Sequence, residues 1–170
     1  MTERSVEIFK QLTIAESKFD YFILGISIAL FSYLSQNLTV LSNLGLNKDA
    51  FILYTILLLF ISIITGITRV YYCNQILRFN FRQLYYQETK GKLTKALSES
   101  NPKININTGE IFDPISAGET IHNINNKLPK IVKYLEKYEK IVKCCFHIRN
   151  WTLLASFFLI LLSRILLIIK

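Results

Sequence analysis

Three long runs without a charged side chain constrain this chain more than anything else in it. None occurs from Tyr21 to Asn47, none from Ala50 to Thr68, and none from Asn150 to Ser163, after which a single Arg164 precedes Ile165 to Ile169. A helix needs about 20 mainly apolar residues to cross the hydrocarbon core of a bilayer. The runs therefore predict three transmembrane helices, at 20–40, 50–69 and 150–170. The middle run, ILYTILLLFISIITGI, is apolar all round, and a chain of 170 residues has too little other protein to bury three such helices in a soluble core. An apolar content of 51% agrees with that exclusion. The first run follows about 20 residues that include Glu3, Glu7, Glu16 and Asp20, which is too long and too acidic for a secretory n-region, so this span is expected to stay in the mature protein.

Basic residues orient the spans. Arg4, Lys10 and Lys18 precede the first span, Lys48 alone lies in the link at 41–49, and fourteen lie between Arg69 and Arg149. Lys and Arg are retained on the cytoplasmic side of inner membranes, which predicts a multi-pass inner-membrane protein with its N-terminus inside and its C-terminus outside. Arg69, Arg149, Trp151, Arg164 and Lys170 are read as membrane-interface residues, Arg164 by snorkelling to the outer interface and the indole by its amphipathic ring.

The cytoplasmic parts are patterned as helices. In the segment 1–19, Ile8, Leu12, Ala15 and Phe19 fall on one helical face. Beyond the second span, Val70, Cys73, Leu77, Phe81 and Leu84 form a stripe in a stretch without Pro or Gly until Gly91, which is expected to fray or end the helix. The stretch near 100–118 is rich in Asn, Pro, Gly, Ser and Thr and reads as a turn, with a short β-hairpin conceivable around Asn107-Thr108-Gly109. Then Ile121, Ile124, Leu128, Ile131, Leu135, Tyr138, Val142 and Cys145 alternate steps of three and four, the seam of a helix packed along its length. Pro129 inside that seam should kink the helix or mark its restart. Legs of about 30 residues on either side of the turn, near 45 Å each, predict a coiled-coil-like helical hairpin over 70–149. The expected fold is thus an all-α integral membrane protein, three spans with a cytoplasmic stalk between the second and third.

Chemistry-bearing motifs are scarce. There is no Gly-rich phosphate loop, no HExxH, no GxSxG and no Cys-x-x-Cys, and the span centres hold no Asp, Glu or His. Cys73, Cys144, Cys145 and His147 raise the question of zinc, but adjacent cysteines on a helix point about 100° apart and cannot easily aim at one ion. Reduced cysteines in a helical interface are the plainer reading. The segment 69–150 carries fourteen basic and seven acidic residues, yet arginine forks and nucleic-acid modules are lacking. Its lysines, Lys127 to Lys143, read as a solvated flank with attraction for anionic headgroups, stiffened by the Glu136–Lys140 and Glu139–Lys143 spacings. The aromatics Tyr71, Tyr72, Phe79, Phe81, Tyr85 and Tyr86 outnumber what one hairpin partner can cover, and read equally as a contact surface for neighbouring protomers or as packing against the N-terminal helix with an aromatic belt at the bilayer surface. Gly25, Ala29 and Ser32 form a small-residue face for close packing, within the chain by expectation.

In layout, and in the ESKFDYFILGIS approach to the first span, the chain resembles small multi-span bacterial membrane proteins with a cytoplasmic helical extension, including the two-span effector domains of bacterial antiviral systems. The third span departs from the two-span plan. The resemblance implies a non-enzymatic, self-associating effector that perturbs or permeabilises the inner membrane when its stalk is engaged by a cytoplasmic partner or sensor. The competing expectation is a membrane-anchored scaffold whose stalk recruits a soluble protein. Lipid and a second copy are the expected partners; nucleic acid and cofactors are not expected.

Overall fold

The computed structural model describes residues 3–36, 48–98 and 113–168. They form three α-helices in chain order, α1 (Glu3–Gln36), α2 (Lys48–Ser98) and α3 (Pro114–Ile168), and no strand occurs among them. The hairpin expected around Asn107-Thr108-Gly109 lies outside the described residues, as does Lys170. Two helices are long and apolar enough to cross a membrane, Ala50–Ser98 and Pro114–Ile165. Their most apolar 18-residue windows are only 28% and 22% buried, the reverse of what a soluble core helix shows.

Four expectations about the helices need correction. α1 is one helix from the N-terminal arm into the apolar run, but Ala15 and Phe19 on the expected face of the arm are exposed. Gly91 does not end α2, which continues to Ser98 through good helix formers such as Leu93, Lys95 and Ala96. α3 begins at Pro114, inside the segment read as turn. Asp113 accepts hydrogen bonds from the Ile115 and Ser116 amides at 3.0 and 3.2 Å, and proline at the first helical position has no amide hydrogen to satisfy. Pro129 does not restart α3 either. It lies on an exposed face, where water can satisfy the carbonyl its ring frees.

The chain divides into two units, Met1–Tyr72 with Ile141–Lys170, and Cys73–Lys140. In the second, α2 and α3 run antiparallel. The Phe79 ring stacks on Tyr134 at 5.8 Å and meets Tyr138 at 5.7 Å, while the Lys127 ammonium lies 6.0 Å from the centre of the Tyr86 ring. On α3 the facing residues are Ile124, Ile131 and Leu135, buried, with Ile121, Leu128 and Tyr138 half-buried, each spaced by three or four. On α2 they are Ile76, Phe79, Gln83, Tyr86 and Leu93, all half-buried. The expected α2 stripe is therefore corrected in this unit: Cys73 is half-buried, but Leu77 is 46%, Leu84 59% and Phe81 72% exposed. α2 is apolar on two faces here, and the aromatic stack on Phe79 selects the other one.

In the first unit α1 and α3 run the same way and α2 opposes both. Asp20 meets Arg69 and Arg149, Leu24 lies beside Gly66, and the Phe31 and Phe60 rings are 6.1 Å apart. At the other end a cavity of about 300 Å³ is lined by Leu34, Ile52, Thr55, Ser163 and Arg164 among others. Val142 and Cys145 continue the α3 seam here, half-buried and buried, and Val70 is half-buried on α2.

In this unit most of the buried side chains are polar, beside Ala50, Leu59 and Cys145, and many large apolar ones are exposed. Its buried residues include Asp20, Ser27, Thr55, Ser62, Arg149, Ser156 and Ser163, whereas Phe22, Leu57, Phe60, Ile64, Leu154, Phe158 and Leu161 are exposed. The hydroxyls recur every seven residues, nearly two helical turns, so they stay on one face: Thr55 and Ser62 lead to Arg69 on α2, and Arg149 leads to Ser156 and Ser163 on α3. Most are satisfied within their own helix, Ser27 donating to the Ile23 carbonyl at 2.9 Å, Thr55 to Phe51 at 2.8 Å and Ser156 to Thr152 at 2.7 Å. Being small, they also let the helix backbones approach, the packing that membrane helices use where no hydrophobic effect is available.

Candidate functional site

The candidate site is the ion cluster where the three charge-free runs begin or end. Asp20 stands one residue before the first run, Arg69 one after the second and Arg149 one before the third. The antiparallel packing of α1 and α2 and of α2 and α3 brings the three to one level.

Asp20 bridges both arginines. Its Oδ2 accepts from Arg69 Nε and its Oδ1 from Arg149 Nη1, each at 2.7 Å. These are short, charge-assisted bonds. The side chains of Asp20 and Arg149 are 5% and 0% exposed, and that of Arg69 12%. Arg149 Nε also donates to Asn150 Oδ1 at 3.3 Å, and Ser62 Oγ donates to the Arg149 carbonyl at 3.4 Å. The Phe146 ring takes both cations on its face, Arg69 at 4.6 Å and Arg149 at 5.6 Å from the ring centre. Gly66 makes room: a Cβ there would lie 3.2 Å from Leu24 Cδ1 and 3.5 Å from Arg149 Cδ.

Two features stand out. One carboxylate faces two guanidiniums, so the buried cluster is a net cation. Arg149 Nη2 is fully buried and has no acceptor among the described residues. Removing charges from water is costly unless each is paired and hydrogen-bonded, so the cluster is satisfied at Asp20 and short of an acceptor at Arg149.

Of the other residues singled out in the sequence, some are buried in the bundle and others lie on its surface. Arg149 is buried and Arg69 nearly so, because Asp20 offers a carboxylate at their level on a third helix. Trp151 is 69% exposed, and Arg164 is exposed at the rim of the cavity. Gly25, Ala29 and Ser32 are all exposed, with nothing within 4 Å of a Cβ at Gly25, so this small-residue face packs against none of the described residues; Ser27, Ser62 and Gly66 take that role. Cys144 is exposed and Cys145 buried, none of the three cysteines is in a disulfide, and no group of three metal-ligating side chains occurs among the described residues. Burial pushes the Cys145 thiol up from its ordinary pKa, Cys144 adds to this, and the Arg69 charge opposes it.

In the sequence Asp20, Arg69 and Arg149 stand far apart, the first in an acidic arm and the other two among the basic residues that orient the spans. The signal that joins them is the seven-residue recurrence of hydroxyls leading to each arginine, together with a lone acid at the border of the first run. No family model, no curated protein and no solved structure matches this chain.

Proposed function

We propose that the protein is a non-enzymatic, multi-pass inner-membrane protein that self-associates and perturbs or permeabilises the membrane when its cytoplasmic segment is engaged. The observation carrying this reading is the inverted three-helix unit. Its large apolar side chains point outward and its serines, threonine and ion cluster inward, an arrangement that favours lipid as the surrounding solvent. In the proposed topology α1, α2 and α3 each contribute a span, with the N-terminus and residues 70–149 cytoplasmic and the C-terminus external. The antiparallel pair in Cys73–Lys140 then serves as the stalk.

Two faces remain for association. One is Gly25, Ala29 and Ser32 on α1; the other is Leu77, Phe81 and Leu84 on α2. The ion cluster acts as an internal clamp between the three helices, because Asp20 ties α1 to both arginines and its loss leaves two cations unpaired inside the bundle. In this reading the clamp holds the resting bundle closed, and engagement of the stalk opens a pathway past it, as the resemblance to antiviral effectors implies. Release of a small dye or of ions from vesicles reconstituted at increasing protein density tests the proposal. Density-dependent release, raised by Asp20→Asn, is expected; vesicles that stay tight at every density contradict it.

The exposed Leu77, Phe81 and Leu84 also favour a second reading, a membrane-anchored scaffold that docks a soluble protein on α2. It requires a stoichiometric partner lost on Phe81→Asp, with vesicles remaining tight.

A further inference from the structure

We propose that the Arg69–Arg149 pair binds a phosphate group as its second counter-charge, opposite Asp20. The first support is a charge count by position. No Asp or Glu occurs in residues 21–47, 50–72 or 141–170, and Glu16, one turn before Asp20 on α1, is exposed. The parts of α2 and α3 in the three-helix unit thus hold no other carboxylate able to neutralise the second arginine. These segments supply no second compensating anion.

The second support is the donor already waiting. Arg149 gives Nε to Asn150 and Nη1 to Asp20 and keeps Nη2 buried without an acceptor among the described residues. Arg69 spends Nε on Asp20, and its 12% exposed side chain forms the open edge of the cluster. Planar guanidinium forks suit the paired oxygens of a phosphate better than a spherical ion. The third support is position. All three charged residues border charge-free runs, so on the membrane reading proposed above the cluster lies at headgroup level, where lipid phosphates are concentrated. A lipid headgroup and a free phosphate share this chemistry, and the test separates them.

The full chain is purified in a sugar-headgroup detergent, which carries no phosphate, and its thermal unfolding is followed by circular dichroism. Additions at equal ionic strength are sodium chloride, inorganic phosphate, or phosphatidylglycerol doped into the micelles. Arg69→Gln is the informative variant, since it removes the surplus charge and leaves Asp20 paired with Arg149. At about a hundredfold excess over Kd the phosphate group should raise the wild-type Tm by about 5 °C. Chloride should not, and Arg69→Gln should lose the shift while remaining helical. A shift with phosphatidylglycerol alone assigns the site to a lipid headgroup, and a shift with both assigns it to the phosphate group itself. No shift in either arm, or equal shifts in the wild type and Arg69→Gln, overturns the proposal. Because the readout is stability in micelles, it is decided separately from vesicle release.

Discussion

Asp20→Asn changes little in shape and removes the one charge on which two buried cations depend. Two hydrogen bonds of 2.7 Å are weakened, and bonds to charged groups contribute about 1.5–3 kcal/mol each. Breaking a buried pair by deleting one partner costs about 3–5 kcal/mol, since the stranded charge cannot be rehydrated in place. Arg149 is fully buried, so the variant should lose about 4–5 kcal/mol, near the top of that range. Arg69→Gln should behave differently. It forfeits one bond at a partly exposed side chain but relieves the surplus charge, for a net loss of about 1–2 kcal/mol. Replacing all three groups with apolar side chains of similar volume, Asp20→Leu with Arg69→Met and Arg149→Met, should recover most of the stability lost in Asp20→Asn. The assay is denaturant titration of helical circular dichroism in mixed micelles. If Asp20→Asn lies within about 1 kcal/mol of wild type, or Arg69→Gln costs as much as Asp20→Asn, the cluster is not the clamp described.

Three further expectations follow from the packing. In the antiparallel pair, Phe79→Ala should destabilise by about 2–3 kcal/mol because it dismantles the contacts with Tyr134 and Tyr138, whereas Phe81→Ala should stay within about 0.5 kcal/mol when the protein is dilute. Gly91 has open space around it, so Gly91→Ala should gain about 0.5–1 kcal/mol of helix stability, while Gly66→Val should lose about 1–3 kcal/mol by pressing on Leu24 and Arg149; thermal unfolding of both variants checks the signs. The thiolate is the reactive form, and a pKa raised by burial means less thiolate at any given pH, so Cys145 should react with maleimide more slowly than exposed Cys144 and require a higher pH to reach its full rate. Mass spectrometry of singly substituted proteins between pH 7 and 10 measures this; faster labelling of Cys145 would refute it.

How much of this was legible depended on whether one face of a helix had a rival. On α3, Ile121 to Cys145 alternate mostly with Lys, Glu, Asn and His, so one seam dominates, and each of its residues is half-buried or buried. On α2, Leu77, Phe81 and Leu84 compete with Ile76, Phe79 and Tyr86. Periodicity cannot choose between two apolar faces; the rings of Tyr134 and Tyr138 on the opposing helix do. The ion cluster escaped for another reason. Asp20 and Arg149 are 129 positions apart, and their pairing follows only once α1 and α3 run in the same direction beside α2. The α3 start was legible in Asp113-Pro114, an N-cap followed by proline, but the surrounding Asn, Gly and Ser made the stretch read as loop.

The central claim is that the three-helix unit is surrounded by lipid, with its polar groups turned inward. Spin labels placed singly at Leu154, Phe158 and Leu161 in bilayer-reconstituted protein test it directly, through collision rates with molecular oxygen, which concentrates in lipid, and with a water-soluble nickel complex. Oxygen should dominate at all three exposed positions, and both reagents should be excluded from a label at buried Ser156. Dominant access by the nickel complex at Leu154, Phe158 and Leu161 would contradict it.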